Sequence, residues 1–251
     1  MQTPELLSGQ TALVTGASSG LGPHIVRCLD AAGARVAIHY HQQAAAAEQL
    51  AGQLQHQAIC IQADLNHDAQ VDALFNQASE ALQGLTILVN CAAVASQSLA
   101  DLADLSSAVW AATMQANVTA PMRLTQLLAM QAIPAAVINI SSIEATRPAP
   151  GHAHYATSKA ALEMLTKAAA LEYGPQGVRV NAIAPGLIQR PGIEDAWPEG
   201  VQRWQAAAPL GRLVDPEEIA HAAVYLASTQ ASCVTGQVLT IDCGLAASPA
   251  W

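Results

Sequence analysis

The chain has 251 residues, 52% hydrophobic and 12% charged, a composition that supplies one large domain with a buried core. A formal net charge of −9 with ten scattered Lys and Arg excludes the basic face that a nucleic-acid partner needs. No apolar run reaches the roughly 18 residues of a membrane span, and the start, MQTPELLSGQ, is too short and polar for a signal peptide, so a cytoplasmic protein is expected.

The first strand is expected at TALVT (11–15), and TGASSGLG, Thr15 to Gly22, follows it directly. A strand, a glycine turn and a helix in that order suit a dinucleotide site. Glycine permits positive φ, and the helix N-terminus receives a pyrophosphate. The spacing here is G-x-x-x-G-x-G, so the turn alone is equally readable as an ordinary one. The second strand, RVAIHY (35–40), leads into HYHQQ, His39 to Gln43, with no acid before Glu48. An acid there would bind a ribose 2′-hydroxyl and repel a 2′-phosphate; its absence favours NADP(H) over NAD(H).

Further strands are expected at 58–63, 86–90, 136–141, 178–183 and 237–242, with helices over 43–56, 67–82, 155–173 and 215–228. Short runs that are apolar throughout suit strands covered on both faces. The alternation predicts an α/β fold: one doubly wound, mostly parallel seven-stranded sheet with helices on both faces, Rossmann-like, over residues 1–251. Residues 185–210 interrupt it with four Pro and two Trp. Segment 186–213 is accordingly read as a substrate-binding lid. The five Cys form no C-x-x-C pair, so free thiols are expected. The eight His are dispersed without a Cys or carboxylate ligand set, and no metal site is expected.

HAHYATSKAAL (152–162) places Tyr155 and Lys159 four residues apart, on one helix face. A nearby ammonium lowers a phenol's pKa from about 10 towards the working range of an acid–base catalyst. Taken in order, Thr15–Gly22, Asn90, Asn117, Ser142, Tyr155-x-x-x-Lys159 and APG at 184–186 resemble the short-chain dehydrogenase/reductase family over about residues 8–245. Some stretches also resemble its pteridine reductase branch, whose members carry Asp where this chain keeps Ser142.

The resemblance implies hydride transfer between NADP(H), or NAD(H), and a carbonyl or alcohol. Tyr155 is then the general acid/base, Lys159 holds ribose hydroxyls, Ser142 orients the carbonyl, and Asn117 supports a proton path through water. It implies cofactor contacts from Gly16, Ser18, Ser19, Gly20, Leu21 and Gly22 in the turn. Others come from Tyr40 and His41 after the second strand, and from Asp64 and Leu65 after the third. Asn90 and Ala92 follow the fourth strand, and Pro185, Gly186 and Ile188 the sixth. Asp64 is equally readable as a cap for the next helix. Three departures stand out: NCAA (90–93) replaces Asn-Asn-Ala-Gly, leaving the backbone at Ala93 in question; Arg190 stands where a Thr usually bonds the cofactor, and is readable as reaching a phosphate or as facing solvent; and DCG (242–244) replaces Asp-Gly-Gly.

By position, Val94 to Gln97, Glu144, His152, Ile193, Trp197 and Trp204 are candidates for the substrate pocket. The two Trp equally suit staples between lid and core. A carbonyl reductase stands first, a pteridine reductase second, and a non-catalytic nucleotide sensor or scaffold is the alternative of another class. The resemblance also implies a homotetramer, or a dimer, built through 100–131, 155–173 and 237–242. The tail ending in Trp251 is expected to pack on a neighbouring subunit.

Overall fold

Seven short strands hydrogen-bond into one sheet: β1 (Thr11–Val14), β2 (Arg35–Tyr40), β3 (Ile59–Gln62), β4 (Ile87–Asn90), β5 (Ala135–Ile140), β6 (Val178–Pro185) and β7 (Val238–Ile241). The computed structural model describes residues 5–94 and 100–247, so Gln97 and the Trp251 tail lie outside the described residues. The strand order is β3-β2-β1-β4-β5-β6-β7, and every neighbouring pair is parallel. The expected sheet is therefore present and wholly parallel. Chain order reverses between β1 and β4, which opens a crevice at their C-terminal ends.

Period-two alternation divides the strand side chains between two cores. Val14, Ile38, Ile87, Val89 and Ile138 point to one face of the sheet. There they meet α1 (Gly22–Ala31), α2 (Ala44–Ala51) and α9 (Pro216–Ala227). Leu13, Ala37, Leu88, Val137 and Val180 point to the other, under α3 (Asp68–Leu82), α5 (Ala120–Ala129) and α6 (Ala153–Tyr173). Each fully buried Leu or Ile stabilises the fold by roughly 1.5–3 kcal/mol, and both faces need cover because neither is polar.

Three helices differ from expectation. The one expected over 43–56 stops at Ala51, because the Asp30 carboxylate accepts from the Gln55 and His56 N–H groups and draws the chain into a turn. The long element expected over 100–131 begins only at α4 (Ser107–Met114), capped by the Ser106 hydroxyl. It then passes through a π-helical turn, Gln115–Thr119, before α5. The segment read as irregular contains α7 (Ile193–Ala196) and α8 (Pro198–Ala207), folded over a small cluster of Ile193, Val201 and Leu213.

Candidate active site

The glycine turn closes against the end of β4. Gly16 has φ +64°, and a Cβ there would lie 2.7 Å from Ala92 Cα, so only glycine fits. Gly20, at φ +56°, faces open space. Helix α1 starts just beyond with Pro23 in its first turn and no side-chain cap, its Gly22 and His24 N–H groups closing tight turns onto the Ser19 and Leu21 carbonyls. Two residues that sequence reasoning passed over fix the turn. Buried His39 accepts the Gly16 N–H at Nδ1 (3.0 Å) and donates from Nε2 to the Ala63 carbonyl (3.1 Å). Burial drives its pKa down to about 4, so the ring stays neutral and can accept. Thr15 Oγ1 accepts the N–H groups of Cys91 and Ala92 at 3.0 and 3.1 Å. A polar residue inside an apolar strand was the available signal for His39.

At the end of β4, Asn90 Nδ2 donates to Asn139 Oδ1 (2.8 Å), and Asn139 Nδ2 donates in turn to Thr166 Oγ1 (2.9 Å). Asn90 Oδ1 is buried with no partner among the described residues. A buried orphan acceptor is costly unless a donor arrives, and a ribose hydroxyl is such a donor. Turn and orphaned amide together fit a nicotinamide dinucleotide. Ala93 does not adopt positive φ, so its methyl is tolerated, whereas Cys243 takes φ +56°, where the family's glycine would be unstrained.

The other proposed cofactor contacts are spread along the same rim. His41 is exposed, its Nε2 3.8 Å from Asp64 Oδ2. Asp64 Oδ1 accepts from the Asn66 N–H at 2.9 Å, so this carboxylate caps a local turn while His67 occupies the helix N-cap. Leu65 is buried in the core, and Tyr40 is half-buried at the strand end. Gly186 N–H donates to the Ile241 carbonyl, continuing β6 from Pro185, and Ile188 forms an isolated bridge with Val214 at the base of the lid.

Helix α6 brings Tyr155 and Lys159 to the end of β5. Lys159 is 2% exposed, and its Nζ donates to the Ile140 carbonyl at 2.7 Å, 5.6 Å from the centre of the Tyr155 ring. Burial lowers the Lys159 pKa to about 8. Burial also raises the Tyr155 phenol to about 12; a hydrogen bond with Ser142 opposes this, and the Glu144 carboxylate adds to it. The phenol is thus not acidified by its lysine in this geometry, contrary to the expectation from spacing. The ammonium is tethered to the Ile140 carbonyl, and desolvation of the phenol is the largest influence on its pKa.

Ser142 Oγ also accepts the Glu144 N–H (3.1 Å), while the neighbouring Ser141 donates to Glu163 (2.8 Å), away from the tyrosine. Asn117, fully buried, sits in the π-helical turn. Its Oδ1 accepts the Val94 N–H (2.8 Å), and its Nδ2 donates to Ser158 Oγ (3.0 Å), which donates to the Tyr155 carbonyl (2.7 Å). The extra residue of a π turn rotates one side chain out of register, and here that side chain joins the β4 loop to α6.

Of the pocket candidates, Glu144 and His152 stand beside Tyr155, whereas Val94 is held by Asn117. His152 Nδ1 donates to Glu144 at 2.8 Å, and its ring stands edge-on to the tyrosine, with centroids 6.5 Å apart. Trp204 packs on Gly186 and donates from Nε1 to the Arg212 carbonyl (3.1 Å), stapling the lid at its base. Trp197 packs on Gly200 and beside Arg203, and is 48% exposed.

The chain matches, over residues 16–246, the family model described as Enoyl-(Acyl carrier protein) reductase. The chain belongs to the short-chain dehydrogenase/reductase family. Among family members, it is 36% identical to 3beta-hydroxysteroid dehydrogenase 1 of Eggerthella lenta, over 97% of this chain and 96% of that protein. It is 34% identical to a 3-oxoacyl-(acyl-carrier-protein) reductase of Chlamydia trachomatis, over 96% and 99%. A short-chain dehydrogenase/reductase structure from Serratia marcescens superposes with a TM-score of 0.89 at 34% identity, covering 95% and 98%. As a short-chain dehydrogenase/reductase this chain is an NAD(P)-dependent oxidoreductase. No helix among the described residues is long and apolar enough to cross a membrane.

Away from this site, Cys28, Glu217 and His221 converge where α1 packs on α9, although they are dispersed in the sequence. Sequence distance hid this, although His24/Cys28 and Glu217/His221 are both i, i+4 pairs.

Proposed function

We propose that the enzyme interconverts a carbonyl and a secondary alcohol, with Tyr155 as general acid/base and NADP(H) preferred over NAD(H). The observation that carries this reading is the buried Lys159 amine, anchored on the Ile140 carbonyl and 5.6 Å from the centre of the Tyr155 ring, at the end of β5 near the glycine turn and the orphaned Asn90 amide. Bound in the crevice between β1 and β4, the nicotinamide supplies or accepts the hydride.

The chain's own groups handle the oxygen. Ser142 donates to the carbonyl oxygen as negative charge grows on it, and Tyr155 passes its proton to the same atom. A phenol raised to about 12 is protonated at neutral pH, the form that reduction requires. Lys159, anchored on Ile140, would hold the ribose hydroxyls. The intact Ser142, Tyr155 and Lys159 favour a catalyst over a sensor or scaffold, and Ser142 argues against a pteridine reductase.

The cofactor preference rests on the rim after β2, where His41 and Gln42 stand in place of a carboxylate. The lid, 186–213, would close over the substrate, with Glu144 and His152 on the opposite wall. Assembly into a homotetramer, or a dimer, is supported by Met164 and Leu171 exposed on α6, Trp110 on α4 and Leu239 on the edge strand β7. Initial rates with NADPH and NADH against ketones, quinones and pterins test the reading. Faster ketone reduction with NADPH is expected. Binding of either cofactor without turnover of any substrate would contradict it.

A further inference from the structure

Helices α1 and α9 pack side by side, and each presents an i, i+4 pair towards the other: His24 and Cys28 from α1, Glu217 and His221 from α9. The ligand atoms of Cys28, Glu217 and His221 all lie within 4.8 Å of one another. Glu217 is the hub. Cys28 Sγ donates to its Oε2 at 3.1 Å, and His24 Nδ1 donates to its Oε1 at 2.7 Å. Neither the oxidoreductase chemistry nor the sheet packing calls for a thiol, a carboxylate and an imidazole converging at one point.

We propose that this cluster binds a zinc-type divalent transition metal, ligated by Cys28 Sγ, Glu217 Oε2 and a ring nitrogen of His221, with a water in the fourth position. A tetrahedral zinc holds such donor atoms about 3.3–3.6 Å apart, so atoms that lie within 4.8 Å of one another close by about 1.5 Å at most. His24 keeps its hydrogen bond to Glu217 Oε1 and orients the ligating carboxylate from outside, as outer-sphere partners do in metal sites.

The thiol selects the ion: a sulfur and an imidazole favour zinc, cobalt and their like over magnesium or calcium. On binding, the Cys28 S–H bond breaks, its proton leaves to solvent, and a sulfur–metal bond replaces it. Burial and the neighbouring carboxylate hold that thiol up at about 12, so the metal must displace the proton, and affinity rises with pH. His221 is exposed and Cys28 and Glu217 are half-buried, so the ion has a path from solvent. Once bound, it ties the helix that follows the glycine turn to the helix that follows the lid.

Titration of the purified full-length protein with Co²⁺ tests the site, read by the near-ultraviolet thiolate-to-cobalt band and the visible bands of four-coordinate cobalt. One Co²⁺ per chain with both bands, displaced by Zn²⁺, is expected. Cys28→Ser should abolish the thiolate band, His221→Ala should weaken binding, and His24→Ala should weaken it about 10–100-fold. Cys233→Ser, at an exposed thiol elsewhere, should leave the titration unchanged. His221 lies on the exposed face of α9, so its variant keeps the test valid if Cys28→Ser folds poorly. No thiolate band in the wild type, or one that survives Cys28→Ser, would overturn the assignment.

Discussion

The wall formed by α6 and the lid over 186–213 stand at the two sides of one crevice and are built on opposite principles. In the wall, Asn117, Ser158, Asn139 and Lys159 are almost wholly buried, and each is tied by a short hydrogen bond to another element. In the lid only a few residues are buried, Ile193, Val201, Ala208 and Leu213 among them, while Trp197 and Leu210 face outward. A buried polar network is costly to disturb and therefore holds geometry. A thinly packed segment opens at small free-energy cost. On the function proposed above, the first fixes the chemistry and the second admits the substrate.

Breaking the wall should have the larger effect. Asn117→Ala removes both ends of the clamp between Val94 and Ser158 and leaves their donors and acceptors unmatched. A loss of about 2–3 kcal/mol in urea unfolding is expected, together with lower kcat. A variant as stable as the wild type would mean that the clamp is ornamental.

A second test uses the pH dependence of the wall. Lys159 titrates near 8 when folded, against 10.5 for an exposed lysine. Between those values folded Lys159 binds fewer protons than unfolded Lys159, so the lysine's own contribution to stability should rise with pH, by up to about 1 kcal/mol per unit. It should level off above 10.5. Tyr155 above about 10, and the Cys28 and Cys91 thiols above about 8, act with the opposite sign, so the quantity to compare is the difference between wild type and Lys159→Met at each pH from about 7.5 to 9.5. Lys159→Met should remove the rise; an unchanged slope would place the lysine in contact with water.

The lid answers to a milder change. Trp204→Ala frees its base from Gly186 and Arg212. KM should increase several-fold with kcat within about threefold, because the reacting groups sit on the other side. A fall in kcat with KM unchanged would move the tryptophan into the chemistry.

The same contrast explains what the sequence discloses. The strands were readable because their apolar runs are short and continuous. The Tyr155–Lys159 pair was readable because helical spacing alone brings the two together. The π turn at Asn117 leaves no mark in apolar periodicity, since one inserted residue looks like any long helix. His39 read as a strand residue because its partner, the Gly16 N–H, is 23 positions away. Cys28 and Glu217, 189 positions apart, meet only through the packing of α1 on α9. Nor does spacing report desolvation, which sets the Tyr155 phenol higher than its lysine neighbour implied.

The central claim is that Tyr155 gives the proton while Ser142 holds the oxygen. It is tested most directly by steady-state reduction of an active ketone by Tyr155→Phe, with cofactor affinity measured in parallel by fluorescence. The account predicts a fall in kcat of about 10²–10⁴-fold, with cofactor binding within about threefold of wild type. Turnover within tenfold of wild type would contradict it.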